Sequence, residues 1–181
     1  MRGVALGSCC VQIREIPIGR LGCPMPDSPA YELEFYAEES GDMPALRWIK
    51  EDLSPIKRRA LGMAMNEVLQ RHGVQVVGER SWGRQLGDGL FEFRVDRTVK
   101  ADDEVAEKIV LRVFCHAYGD RKVLILHGYD KGRSPASHRQ QREIVLARSR
   151  LATWRAAQAA QAKRQHEGSG RVLEPLSRRK R

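Results

Sequence analysis

A chain of 181 residues has room for one substantial core and short appended segments, and too little for two large domains. Hydrophobic residues make up 41% and charged residues 30%, and no apolar run approaches the ~20 residues of a membrane helix, so a globular chain outside the membrane is expected. The net charge of +9 is uneven: residues 131–181 carry 14 Lys and Arg against 3 Asp and Glu, whereas residues 1–130 are nearly balanced. A basic end of this kind is an electrostatic footprint for phosphates on nucleic acid or a ribosome.

In chain order, residues 1–30 form a Gly- and Pro-containing leader without apolar periodicity, expected to be disordered or an over-extended start, with Met25 as an alternative beginning. Too few residues precede "VALGSCC" for an export signal. The spacing of Cys9, Cys10, Cys23 and Cys115 fits no four-ligand zinc pattern, which favours free thiols in a reducing cytoplasm. No metal or other cofactor is expected. "YELEFYAE" alternates Tyr31, Leu33 and Phe35 against Glu32 and Glu34, a first strand. Helices follow, one from Met43 to Asp52 and one beginning at Ser54 as N-cap with Pro55 in its first turn and Gly73 as its stop. Three strands come next: "LFEFRV" from Leu90, "IVLRVFCHAY" from Ile109 and "KVLILHGY" from Lys122. From Pro135 the pattern is again helical, with Ile144, Ala147, Leu151 and Trp154 on one face, fraying into a basic tail over residues 155–181.

This order implies an α+β domain over residues 31–154, a small antiparallel sheet with helices on one face and the other face open. Strand alternation then sorts the side chains. Phe91, Phe93 and Val95 share one side of their strand and Glu92 and Arg94 the other; Leu111, Val113 and Cys115 oppose Arg112, Phe114 and His116. With the apolar sides against the helices, Arg94 and Arg112 meet on the opposite face. Two mid-strand arginines are costly unless solvated or set to hold an anion, so the pair is a candidate phosphate clamp; the competing reading is a Glu92–arginine pair across the strands. His127 reads as a core histidine.

The segments "GLFEFRV", "KIVLRVFCHAYGDRKVLILHGYDKG" and "RQQREIVLARSRL" together resemble the phage-derived branch of the RelE/HigB toxins of type II toxin-antitoxin systems, from about Tyr31 to Trp154. The resemblance implies a ribosome-dependent mRNA endonuclease working without metal, with mRNA and the ribosome as partners and a helix-turn-helix antitoxin as its inhibitor. It places Lys131, just after the last strand, at the family's basic position, with Arg133 as a further basic residue.

Metal-free RNA cleavage needs a base for the 2′-hydroxyl, cations for the phosphorane and an acid for the leaving 5′-oxygen. Arg94, Arg112 and Lys131 are the candidate cations, and Glu92 and His116 are both candidates for the base. Tyr129, Arg139 and Arg142 are candidate RNA contacts alongside Arg133. A long acidic connection, "DRTVKADDEVAEK", and the basic tail depart from the family pattern. Two other functions are compatible with the same residues: a ParE-like inhibitor of DNA gyrase and a non-catalytic nucleic-acid-binding accessory protein.

Overall fold

The computed structural model of the chain describes residues 31–79, 81–99, 106–133 and 135–169. The leader, the Met25 start and three of the four cysteines lie outside them, as do residues 170–181 of the tail. Strand β1 (Glu32–Phe35) leads into α1 (Pro44–Arg47), which widens into a π-type turn over Trp48–Asp52. Helix α2 (Pro55–Ala64) starts as the sequence dictates: Ser54 caps it by accepting from the Lys57 N–H at 3.4 Å, and Pro55 occupies the first turn, where its missing N–H costs nothing. A second π-type stretch (Met65–Leu69) and the short α3 (Gln70–His72) carry the chain to Gly73, whose φ of +52° ends the helix. A Cβ on Gly73 would stand 2.3 Å from the Tyr31 ring, so the stop also requires glycine for space.

After a 3-10 turn (Gly73–Gly78) come β2 (Gly83–Gly87), β3 (Leu90–Val99), β4 (Glu107–Tyr118) and β5 (Lys122–Asp130), and the chain closes with α4 (Ser137–Ser169). The five strands form one sheet in the order β1-β5-β4-β3-β2, antiparallel throughout except for the parallel β1–β5 pair. The α+β class and the placement of helices after the first strand and at the end match the expectation. One strand adds to it. β2 pairs with β3 through a tight turn in which Asp88 and Gly89 both have positive φ (+53° and +74°), the conformation of an Asp-Gly hairpin.

The open face does not exist in the expected form: the sheet is covered on both sides. Beneath α1–α3 lies one core, with Leu61, Ala64 and Leu69 against Phe91, Phe93, Val113 and Ile125. On the opposite face α4 sets Ile144, Ala147 and Leu151 onto Leu90, Phe114, Leu124, Leu126 and Tyr129. The physical reason is in β5, where Val123, Leu124, Ile125 and Leu126 run without a polar break, as strands buried on both faces do. A bulge completes the arrangement. Phe114 pairs with His127 and Cys115 with Ile125, so Leu126 is the extra residue. Leu124 and Leu126 face α4 before it, His127 and Tyr129 after it, and Gly128 turns to the other face, where a Cβ would meet the Trp48 ring at 2.3 Å.

Candidate functional site

The strand register assembles the site in rows. Arg94 pairs with Arg112 and Arg112 with Tyr129, so three strands contribute one row across the α4-facing side of the sheet. The neighbouring row is Glu92, Phe114 and His127. On the other side, Asp96 pairs with Val110, whose carbonyl accepts from the Lys131 N–H at 2.8 Å. The expectation that Arg94 and Arg112 share the face opposite α1–α3 is what the register shows.

Glu92 sits at the centre and is fully buried. Its carboxylate accepts from Arg94 Nε at 2.8 Å and from Gln140 Nε2 at 2.8 Å, and Arg112 Nε lies 3.9 Å away. Gln140, on the first turn of α4, also accepts from Lys131 Nζ at 3.0 Å, so a single amide ties the buried acid to the basic residue beyond β5. Arg112 is 6% exposed and forms a fork with Asp96, at 2.6 and 3.1 Å, while donating to the Leu111 carbonyl. The side chain of Arg94 is 23% exposed and Lys131 is half-buried, so these two cations reach solvent together with the Asp96 carboxylate, which is 49% exposed. Of the three cations, Arg94 and Lys131 are the outer ones, and Arg112 lies behind them on Asp96.

Two buried polar atoms in this row, Arg112 Nε and Tyr129 Oη, have no hydrogen-bond partner among the described residues. Burial pushes the Tyr129 hydroxyl up to about 12, and the nearby Glu92 carboxylate adds to the shift. Its ring lies 2% exposed and stacks on Phe114 at 6.0 Å, so Tyr129 is a packed residue in this conformation and does not present a face to a base.

The other candidates lie elsewhere. His116 is four residues along β4 from Arg112, about 13 Å at strand rise, and its Nδ1 is 2.8 Å from the Gly89 carbonyl with Trp154 edge-on at 5.7 Å. It does not join the arginines. Arg133 is exposed, with its N–H donating to Asp130 Oδ1 at 3.2 Å. Arg139 donates to Glu143 at 3.2 Å, and Arg142 lies on the outer side of α4 beside His138, Gln141 and Val145. His127, read as a core residue, is more engaged than that: Nε2 is 2.6 Å from Glu143 and Nδ1 2.9 Å from an Arg150 nitrogen, which latches α4 to β5. Burial lowers its pKa, against the pull of the Glu143 carboxylate.

A second charged knot stands nearby. Lys57 Nζ bonds Asp130 at 2.7 Å and Glu107 at 3.2 Å, and the Asp130 hydrogen bond leads the causes that raise its pKa. It braces α2 against the end of β5, where Lys131 begins. Sequence reasoning missed Asp96 and Gln140. Asp96 carries a legible signal, since Glu92, Arg94 and Asp96 alternate onto one face; Gln140 carries none, because its role depends on where α4 lands. Compared with known proteins, the chain matches no family model and no curated protein.

Proposed function

We propose that this protein is a metal-independent endoribonuclease of the RelE/HigB type, acting on mRNA at the ribosome as the toxin of a toxin-antitoxin pair. The observation that carries the reading is the cross-strand row of Arg94 and Arg112 with Lys131 at its solvent end, a cationic cluster braced by a buried carboxylate. In such a reaction the 2′-oxygen forms a bond to phosphorus, the bond to the 5′-oxygen breaks, a base takes the 2′ proton and an acid supplies one to the leaving oxygen. Arg94 and Lys131 would meet the phosphoryl oxygens, where charge develops, and Arg112 would add its field from the second layer. Glu92, buried and doubly hydrogen-bonded, serves as the strut that aims Arg94. An antitoxin carrying a helix-turn-helix would neutralise the protein, and the cytoplasm would be its place of action.

The test is expression in a bacterium without antitoxin, followed by sequencing of RNA ends. Growth arrest with new cleavage sites in translated mRNA is expected, and Arg94→Ala or Lys131→Ala should slow cleavage by roughly 10²–10³, the cost of about 2.7–4 kcal/mol seen when one oxyanion donor is lost. Intact mRNA with relaxed or broken DNA would point to gyrase. One observation favours the non-catalytic reading: Arg112, the most buried cation, is already forked onto Asp96. Under that reading RNA binding persists without cleavage and without arrest.

A further inference from the structure

Beyond Trp154, α4 leaves the body of the protein. Every side chain from Arg155 to His166 is exposed. Its root is fixed on both sides: Trp154 packs edge-on against Tyr118 at 4.6 Å, and Arg148 and Arg155 donate to the Leu86 and Asp88 carbonyls at the β2–β3 turn. An unpacked helix needs a local reason to hold. Here Ala156, Ala157, Ala159, Ala160 and Ala162 supply the best helix former, and the segment grows from a packed helix, so it bears no nucleation cost.

No apolar face runs along this extension, so neither a partner's hydrophobic groove nor the acyl region of a membrane has anything to bury. What it offers is an excess of positive charge. Residues 155–181 hold eight Lys and Arg against two Glu. Cations in a final helical turn complement the helix dipole, but Lys163 and Arg164 stand a turn or more before the end of α4 at Ser169, and Arg171 and Arg178 through Arg181 follow further along the chain.

We infer that α4 beyond Trp154 is a rigid arm that binds the phosphate backbone of RNA, as a second anchor remote from the arginine row. One continuous helix joins the two. Gln140 touches the site, and Lys163 lies 23 residues further on, about 35 Å at helical rise. RNA long enough or folded enough to reach both is held at an effective concentration that neither anchor provides alone. The bridging part of this inference rests on the arginine row binding RNA; the arm itself does not.

The experiment measures binding of the full chain to a fluorescein-labelled 30-nucleotide oligouridylate by anisotropy between 50 and 200 mM salt. Each phosphate that is no longer neutralised lowers the slope of log affinity against log salt by about 0.7 on single strands, so Lys163→Ala/Arg164→Ala should reduce its magnitude by about 1.4. Alanine keeps the helix, which far-UV circular dichroism checks. Arg59→Ala/Arg71→Ala removes the same charge from exposed positions elsewhere and should leave the slope unchanged. An unchanged slope in the arm variant overturns the inference, and so does an equal reduction in the control. Tighter binding to duplex DNA of the same length, or to phosphatidylserine vesicles, overturns it too. If the arm variant loses affinity while Arg94→Ala loses none, the arm stands and the reading of the arginine row falls.

Discussion

Glu92 is the residue whose environment differs most from what its position in a strand suggests. A carboxylate paired across an exposed sheet contributes well under ~1 kcal/mol, whereas this one is fully buried against two guanidiniums. Glu92→Leu leaves buried positive charge uncompensated, and the expected loss is about 3 kcal/mol in denaturant unfolding, at the low end for a broken buried pair because Asp96 still holds Arg112. Adding Arg112→Met should recover part of that loss; strictly additive costs would show that the two side chains are not coupled. His127 gives a pH signature. Its folded pKa lies below the unfolded value, so its contribution is present above about pH 6.5 and is lost as pH falls through the folded pKa. The parent's thermal midpoint should decline between pH 7 and 5 more steeply than that of His127→Gln, and parallel profiles would contradict this. The pairing of Glu92 with arginines was legible from strand alternation. Its burial was not, because alternation assigns a face and does not say what covers it.

At the scale of elements, β5 and α4 carry most of the surprise. The run of Val123 to Leu126 fits equally a strand half-buried with a strong interior and one buried on both sides, and the stripe of Ile144, Ala147 and Leu151 says that α4 packs but not where. Only together do they close the second face. Strand β2 escaped because Gly83 and Gly87 bound a strand poor in branched residues, although the Asp88-Gly89 pair behind it is a strong hairpin signal. Gly128→Ala tests the packing of β5 on the helical layer: its Cβ would enter the Trp48 ring, and overpacking of this kind costs about 1–3 kcal/mol. Combining it with Trp48→Leu should return much of that stability in equilibrium unfolding. If the smaller side chain brings no relief, the Trp48 ring is not what constrains the glycine.

For the whole molecule, the sheet is a wall shared by two cores, and the excess charge lies mostly outside both. A chain ending at Arg155 sheds seven Lys and Arg and two Glu, which takes the net charge from +9 to +4, yet among the described residues it removes no side chain that either core buries. Its thermal midpoint should stay within about 2 °C of the parent's, since surface changes are usually worth less than about 0.5 kcal/mol. A larger drop would mean that the arm supports the fold. The bulge at Leu126 adds to one core only, on the α4 side, as is plainest in genetic terms. Deletion of the single codon for Leu126 would erase the bulge: His127 would follow Ile125 in unbroken alternation, so His127 and Tyr129 would stay toward α4 and Gly128 toward Trp48. Three missing nucleotides would thus take one leucine from the α4-side core and leave every other side chain of β5 on its own face. Replacement of the same codon, Leu126→Val, would trim one side chain and keep every later residue on its own side.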